Sequence, residues 1–155
     1  MVMGISMNTR VLSTAVINEG RLMTHSIRLH KSTWSASKAK MMVAALSPSV
    51  SKYSIKKVVV SMPFAHHETK EFKILLVWIR RFFKSHHISL ELAPPDLFYG
   101  YCPPGQRKSK KPMMKAMAER FPTLYYRYRK EMSNQRKYYV KLFEAVAAAL
   151  HGNTA

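Results

Sequence analysis

The chain has 155 residues, of which 47% are hydrophobic, so it is long enough to bury a core, and this composition excludes wholesale disorder. Its 26 lysine and arginine residues against 8 aspartate and glutamate residues give a formal net charge of +18, which makes a polyanion the expected partner. The single cysteine, Cys102, excludes an internal disulfide and a cysteine-only zinc site. We predict one domain that spans residues 1–155.

Two features of the sequence bear on the location of the protein. No apolar run approaches the roughly twenty residues that are needed to span a bilayer, so no association with a membrane is expected. A strand pattern begins at Val2, which leaves no room for a cleaved signal or transit peptide. The expected location is therefore the cytoplasm, in association with the nucleoid if the source is a bacterium.

The first thirty residues predict an antiparallel meander. Apolar and β-branched residues cluster in the segments 2–6 and 11–17, and the segment 21–29 alternates loosely between apolar and polar residues. Residues 18–20 (NEG) separate the second strand from the third, and Gly20 is expected to provide a positive φ there. Such a meander needs further strands and helices to cover it, and the rest of the chain supplies both.

A βαβ unit is predicted in the middle of the chain. A helix over residues 34–46, with cap residues at 31–33 and an end at Pro48, precedes it. Residues 57–62 read as a strand covered on both faces, and a second strand follows over residues 88–93. Because a strand–helix–strand unit is a crossover, these strands should pair in parallel. The intervening helix has a predicted apolar stripe of Phe72, Leu75, Leu76, Ile79, Phe82 and Phe83.

The C-terminal part of the chain predicts helices. A basic loop over residues 100–111 leads into helices over residues 109–121, 124–130 and 135–151. The apolar side of the last helix comprises Tyr139, Leu142, Phe143, Val146 and Leu150. The complete order of elements indicates a ribonuclease-H-like α/β fold. This fold has a mixed five-stranded sheet, in which three antiparallel strands precede a parallel βαβ unit, and it is flanked by helices.

Two segments have the composition of a nucleic-acid-binding surface. The segment 107–111 places four cations next to the predicted start of a helix, whose free N–H groups can bind a phosphate. The segment 125–130 alternates aromatic and cationic residues, as base-stacking surfaces do. In the alternative interpretation its tyrosines are half-buried core residues and its cations are simply solvated. The predicted nucleic-acid-binding residues are Arg107, Lys108, Lys110, Lys111, Tyr126, Arg127, Tyr128 and Arg129.

Four stretches resemble the RuvC-type Holliday-junction resolvases and the related YqgF-type proteins. Residues 3–10 (MGISMNTR) are similar to the first strand and turn of that family, and residues 57–63 are similar to its central strand. Residues 94–115 resemble the segment that follows its last strand, and residues 143–149 (FEAVAAA) resemble its final helix. The resemblance implies a ribonuclease-H-like fold and a protein that acts on branched DNA in recombination.

The resemblance also implies hydrolysis of phosphodiesters by two Mg²⁺ or Mn²⁺ ions, held by several carboxylates. Here the acidic position of the first strand is Ser6 and that of the central strand is Ser61. On the last helix Glu144 matches one acidic position, whereas Lys141 stands one turn earlier in place of a second acid and would repel a metal. These catalytic positions are degenerate, so we expect no tightly bound cofactor and a lost or weakened nuclease activity.

Other acidic residues remain candidates for a metal site. Glu68 follows the central strand next to His66 and His67, which favour a softer metal, and Glu91 lies within the last strand. Glu68 has an alternative structural role near the start of a helix, where negative charge is favourable. Glu144 has the alternative of pairing with a lysine on an exposed helix face. The metal-binding candidates, Glu144 and Glu68, therefore stay open.

These observations predict a protein that binds branched or structured nucleic acid, with DNA favoured over RNA, as a homodimer or in a larger nucleoprotein complex. A first alternative is an active metal-dependent endonuclease in which Glu144 works with Glu68 or Glu91. The hydroxyls of Ser6 and Ser61 would complete that site, and it requires the carboxylates to converge there. A second alternative is a structural component of a ribonucleoprotein or mobile-element complex.

Overall fold

The computed structural model of the protein describes residues 1–133 and 139–154. Five strands lie in these ranges: β1 (Val2–Met7), β2 (Val11–Asn18), β3 (Arg21–Leu29), β4 (Lys57–Ser61) and β5 (Ser89–Ala93). They form one mixed sheet in the order β3-β2-β1-β4-β5. The pairs β1–β2 and β2–β3 are antiparallel, whereas β1–β4 and β4–β5 are parallel. This is the sheet that the sequence predicts.

Local polar groups and backbone conformation fix the two turns of the meander. Between β1 and β2, the side-chain oxygen of Asn8 accepts hydrogen bonds from the N–H groups of Arg10 and Val11, each at 2.8 Å. Between β2 and β3, Glu19 and Gly20 both have positive φ values, 51° and 78°. This is the conformation of a two-residue hairpin turn whose twist matches that of the strands. The predicted role of Gly20 is confirmed.

Six α-helices flank the sheet in the described part of the chain: α1 (Ala36–Ala44), α2 (Ser47–Lys52), α3 (Lys70–Ser85), α4 (Lys110–Arg120), α5 (Tyr125–Ser133) and α6 (Tyr139–Thr154). Short 3-10 turns lie at Ala65–His67, Leu97–Tyr101 and Pro122–Leu124. The predicted start of the last helix, residue 135, lies outside the described residues. Among the described residues, no helix combines the length and the apolar character that crossing a membrane requires.

The first predicted helix is divided into two in the structure. The N-cap of α1 is Ser35, whose hydroxyl accepts a hydrogen bond from the N–H of Lys38 at 3.1 Å, rather than a residue among 31–33. Pro48 does not end the helical segment but lies in the first turn of α2. Proline is tolerated there because the N–H that it lacks would have no partner within the helix.

Each face of the sheet carries its own hydrophobic cluster. On one face α1 and α3 pack over the central strands, and the apolar stripe of α3 buries Phe72, Leu75, Leu76, Ile79 and Phe83. The opposite face packs against α6 and α4. Covering on both faces explains why β4, in which Val58, Val59 and Val60 are fully buried, is a continuous apolar run.

Glycine allows α6 to approach the centre of the sheet. A Cβ atom on Gly4 would lie 2.5 Å from the backbone nitrogen of Ala149 and would also clash with the carbonyl oxygen of Ala145. Farther along the helix, a Cβ on Gly152 would lie 2.8 Å from the side chain of Val2. The helix therefore runs antiparallel to β1, with its first turns over the carboxyl end of that strand. It buries the predicted apolar side chains Tyr139, Leu142, Phe143, Val146 and Leu150.

Candidate nucleic-acid interface

Two serines lie side by side at the carboxyl ends of the central parallel strands. β1 and β4 pair in parallel through Ile5 and Val60, so Ser6 and Ser61 are the next neighbours across the two strands. Side chains alternate along a strand, and Gly4 faces α6, so Ser6 faces α6 as well. Ser6 and Ser61 are buried, with exposed fractions of 0% and 3%.

Glu144 extends from the second turn of α6 towards these serines. Its Oε2 accepts a hydrogen bond from Ser61 Oγ at 3.4 Å. Its Oε1 has the ammonium groups of Lys110 and Lys141 at 3.7 and 3.9 Å. Lys110 is the first residue of α4, and Lys141 precedes Glu144 by one turn of α6. One carboxylate therefore connects β4, α4 and α6.

A cleft opens beside this cluster. Lys110, Lys141 and Glu144 line a cavity of about 230 Å³, whose remaining wall includes Met62, Phe64, Pro95 and Tyr99. A second cavity of about 230 Å³ lies at the carboxyl end of β1 and shares Pro63, His67 and Lys141 with the first. The two cavities are therefore neighbours at the carboxyl ends of β1 and β4, and we refer to them together as the cleft.

Solved structures of Holliday-junction resolvases have the same overall arrangement. T. thermophilus RuvC in complex with a Holliday junction substrate matches with a TM-score of 0.72 and 13% sequence identity, over 96% of this chain and 89% of that chain. Another Thermus thermophilus RuvC structure gives a TM-score of 0.67 and 13% identity, over 96% and 90%. The fowlpox virus resolvase, in complex with substrate Holliday junction DNA, gives 0.61 and 11% identity, over 99% of both chains. The chain has the RuvC fold.

The likeness to RuvC confirms the predicted ribonuclease-H-like fold. No protein-family model matches the chain, and a search of curated proteins finds no match. At 11–13% identity the structural likeness establishes the fold alone. The chemistry of the site must therefore be argued from its own residues.

Ser6, Ser61 and Glu144, where the sequence resemblance implies catalytic acids, do not suit two Mg²⁺ ions. Such a pair of hard cations needs several converging oxygen ligands with negative charge. The cluster offers the carboxylate of Glu144, but the cations of Lys110 and Lys141 already adjoin it. The buried hydroxyl of Ser6 has no hydrogen-bond partner in the described structure and carries no charge. Within residues 1–133 and 139–154, no group of three His, Cys, Asp or Glu side chains could hold a metal ion.

Glu91 does not join Glu144. It lies in register with Val59, and its carboxylate binds Lys57 at 3.1 Å and His151 at 3.4 Å. The hydrogen bond from Lys57 holds the pKa of Glu91 below its ordinary value. His151 follows Glu144 by two turns of α6, which is about 10 Å along a helix. Glu91 therefore contacts the opposite half of that helix.

Glu68 lies at the end of a short 3-10 turn. Its N–H donates to the carbonyl of Ala65 at 3.2 Å. Glu68 is not among the residues that line the two parts of the cleft, whereas His67 lines both. The start of α3 is capped by Thr69, whose hydroxyl accepts a hydrogen bond from the N–H of Phe72 at 3.0 Å. The convergence of carboxylates that an active nuclease requires is absent from the described residues.

The predicted nucleic-acid-binding residues fall into two groups in the structure. Lys110 belongs to the cluster with Glu144, and Arg107, Lys108 and Lys111 are exposed around the start of α4. The second group lies on α5, where Arg129 is exposed. Of the first group, Lys110 lines the cleft at the carboxyl ends of the central strands.

The aromatic residues of α5 differ in exposure. Tyr126 is 61% exposed, and the ammonium group of Lys130 lies 4.7 Å from the centroid of its ring. Tyr128 is half-buried and makes an edge-to-face contact with Phe143 at 6.5 Å between ring centroids. Arg127 is half-buried and donates a hydrogen bond to the hydroxyl of Tyr139 at 3.2 Å. The alternative interpretation, in which the tyrosines are half-buried core residues, thus holds for Tyr128, whereas Tyr126 has the exposure that base stacking needs.

Lys141 is missing from the residues that the sequence predicts to bind nucleic acid. Lys141 and Glu144 are three residues apart, which places both on one side of a helix. This spacing is the sequence signal that pairs Lys141 with Glu144. The meeting of Lys141 with Lys110 depends on how α4 packs against α6. No local pattern contains that information.

Proposed function

We propose that the protein binds branched DNA, such as a four-way junction, and does not cleave it by metal-dependent hydrolysis. The observation that carries this proposal is the cluster at the carboxyl ends of β1 and β4, where Glu144 adjoins Lys110 and Lys141. The RuvC and fowlpox structures with the same fold contain Holliday junctions, which supports branched DNA, rather than RNA, as the partner.

The charge of the chain supports binding to DNA. Its 26 lysine and arginine residues outnumber its 8 acidic residues, so ion pairs within the chain leave a formal net charge of +18. Each phosphate that a lysine or arginine neutralises releases condensed counterions, so the binding constant should fall steeply as salt concentration rises. Exposed cations at Arg107, Lys108 and Lys111, which are close in sequence to Lys110, would extend the contact along a strand.

The donor set argues against hydrolysis. The ammonium groups of Lys110 and Lys141 occupy the surroundings of Glu144, and like charges repel a divalent cation. Ser6 and Ser61 offer hydroxyls where the resemblance to resolvases implies carboxylates. The protein would thus retain recognition of the junction and lack the charge that holds the metal ions.

The test is a titration of three DNA substrates with the full-length protein. A four-way junction, a duplex of matched sequence and a single strand are compared over a salt series, in Mg²⁺, in Mn²⁺ and in EDTA, with binding and strand cleavage measured together. We expect salt-sensitive, preferential binding of the junction that is the same in EDTA, and no cleavage. Because a four-way junction has two-fold symmetry, we propose that a homodimer binds it, which the stoichiometry in the same titration tests.

Two results would overturn the proposal. Metal-dependent cleavage that disappears in the Glu144→Ala variant would show that the site is an active nuclease. Equal and weak binding of all three substrates would show that the fold is retained without junction recognition. In the second case, RNA or a protein that co-purifies with the chain would favour a structural role in a ribonucleoprotein or mobile-element complex.

A further inference from the structure

Lys110 and Lys141 form a cationic pair whose charge and N–H donors are only partly compensated by the carboxylate of Glu144. Their ammonium groups lie 3.7 and 3.9 Å from Glu144 Oε1, distances longer than a hydrogen bond. Each ammonium group carries three N–H donors. Two cations and one anion leave a net charge of +1 in the cluster. The cluster can therefore accept one further anionic group.

The two lysines and Glu144 line one cavity, so a ligand there would meet both ammonium groups. A volume of about 230 Å³ is several times the roughly 30 Å³ of a water molecule and admits a larger group. The other residues that line this cavity include Met62, Pro95 and further side chains of low polarity. Such walls focus the field of the cations and strengthen their attraction for an anion.

The position of Lys141 between two neighbouring cavities favours a linear polyanion over a free small anion. Lys141 lines both cavities, together with Pro63 and His67. A chain that occupies both cavities would therefore contact Lys141. Lysine binds phosphate as a point charge, and phosphodiesters repeat along a DNA strand.

We propose that Lys110 and Lys141 bind one phosphodiester of the DNA strand without a metal ion, their two positive charges acting where a metal-dependent nuclease uses Mg²⁺. Glu144 is the carboxylate that both ammonium groups adjoin, and its negative charge opposes the binding of the phosphodiester. This inference rests on the proposed function, because it identifies the atoms that contact the junction.

The experiment combines protein variants with neutral DNA linkages. Lys110→Met and Lys141→Met keep the unbranched apolar stem and remove the charge. Lys84→Met is the matched control, since Lys84 is exposed in the last turn of α3. A synthetic four-way junction is prepared in versions that each carry one uncharged methylphosphonate linkage, at successive positions around the branch point. Binding is measured by fluorescence anisotropy in EDTA, and thermal unfolding shows that each variant is folded.

We expect one linkage, or its symmetry-related pair, at which the neutral substitution weakens binding of the unmodified protein by about tenfold. Lys110→Met and Lys141→Met should each weaken binding to the all-phosphate junction by a similar factor, and should lose sensitivity to that linkage. Each should also reduce the slope of log K against log salt by about one. Lys84→Met should keep the sensitivity.

The outcomes separate this inference from the proposed function. Junction binding in which no linkage is sensitive, or in which both lysine variants keep the sensitivity, would overturn the lysine site and leave junction binding intact. If a variant does not fold, the series of neutral linkages measured with the unmodified protein still shows whether any single phosphate is needed for binding. Absence of preferential junction binding would refute the proposed function, and with it this site. Binding that requires Mg²⁺ would also refute the metal-free site.

Discussion

The hydroxyl of Ser61 donates a hydrogen bond to the carboxylate of Glu144 at 3.4 Å, across 83 positions of the sequence. This contact ties the end of β4 to the second turn of α6. It replaces the meeting of two acidic residues that the resemblance to RuvC-type resolvases implies at these positions. A neutral donor at one position relieves the repulsion that two buried carboxylates would have without a metal between them.

Replacement of Glu144 by glutamine should tighten binding to the four-way junction. The variant removes one negative charge beside the bound phosphate and retains an oxygen that can accept from Ser61. We expect about a fivefold gain in affinity, which corresponds to about 1 kcal/mol for one charge at about 4 Å in a water-like medium. Anisotropy titration measures it, with Glu119→Gln, an exposed position on α4, as the control. A loss of affinity would contradict the role of Lys110 and Lys141 as phosphate ligands.

Restoring the implied acidic residues should create a metal site. In the triple variant Ser6→Asp, Ser61→Glu and Lys141→Asp, three new carboxylates would adjoin Glu144 in a largely buried position. Their repulsion should lower stability in EDTA, and Mg²⁺ should relieve it. At Mg²⁺ about 100 times its Kd, we expect the Tm to rise by roughly 5 °C, with cleavage of the junction.

The control for the restored site is the neutral triple variant Ser6→Asn, Ser61→Gln and Lys141→Asn. It has nearly the same volume but lacks the charge, so Mg²⁺ should not change its Tm. An equal Mg²⁺ response of the two folded variants would show that these positions do not converge on one site.

The Gly4→Ala variant should be strongly destabilised. The new Cβ would meet backbone atoms of α6, which cannot move aside as a flexible side chain can. We expect a loss of about 3 kcal/mol in the free energy of unfolding, measured by urea denaturation. Gly100→Ala is the matched control, because a Cβ there meets nothing within 4 Å, and its effect should stay within about 0.5 kcal/mol. Equal effects of the two substitutions would contradict the close approach of α6 to β1.

Two tyrosines of α5 should respond differently to alanine substitution. Tyr126→Ala removes an exposed ring, so we expect about tenfold weaker binding to single-stranded DNA without a change in Tm. Tyr128→Ala removes the contact with Phe143, so it should lower the free energy of unfolding by about 2 kcal/mol. DNA titration and urea denaturation are both carried out on both variants, so that each variant serves as the control for the other. Destabilisation by Tyr126→Ala would place that ring in the core instead.

The protein should lose stability as the pH falls below the ordinary pKa of histidine. Burial, and then the charge of Arg127, lower the pKa of His25 from its ordinary value of 6.5. The folded state thus favours neutral His25, and its contribution is complete above pH 6.5 and is lost as the pH falls through 6.5 towards the lower folded pKa. Burial likewise lowers the pKa of His30. Both groups act in the same direction.

The His25→Gln variant tests this dependence. Its Tm should change less than that of the unmodified protein between pH 8 and pH 5.5. Glu91 does not interfere, because its pKa is lowered from 4.5 and its contribution changes at more acidic pH. An unchanged pH dependence in His25→Gln would contradict the burial of the neutral imidazole.

Much of the fold is readable from the sequence because its signals are local. The hairpin conformation at Gly20, the alternation of the first strands and the apolar stripe of α3 each involve residues close together in the chain. The boundary between α1 and α2 also depends on residues close together in the chain, but the position of Pro48 relative to a helix cannot be read from the sequence. The same residue type can follow one helix or occupy the first turn of the next.

The sequence by itself determined the order of the elements, the parallel crossover, the excess of positive charge and the presence of serine, not an acid, at positions 6 and 61. Only the tertiary structure decided that Lys110 meets Lys141 at Glu144, and that Glu91 is bound to Lys57 and His151 instead. The reason is physical. A charged side chain has no periodic pattern that names its partner, so its partner is set by the packing of distant elements, here by the approach of α6 to the sheet over Gly4.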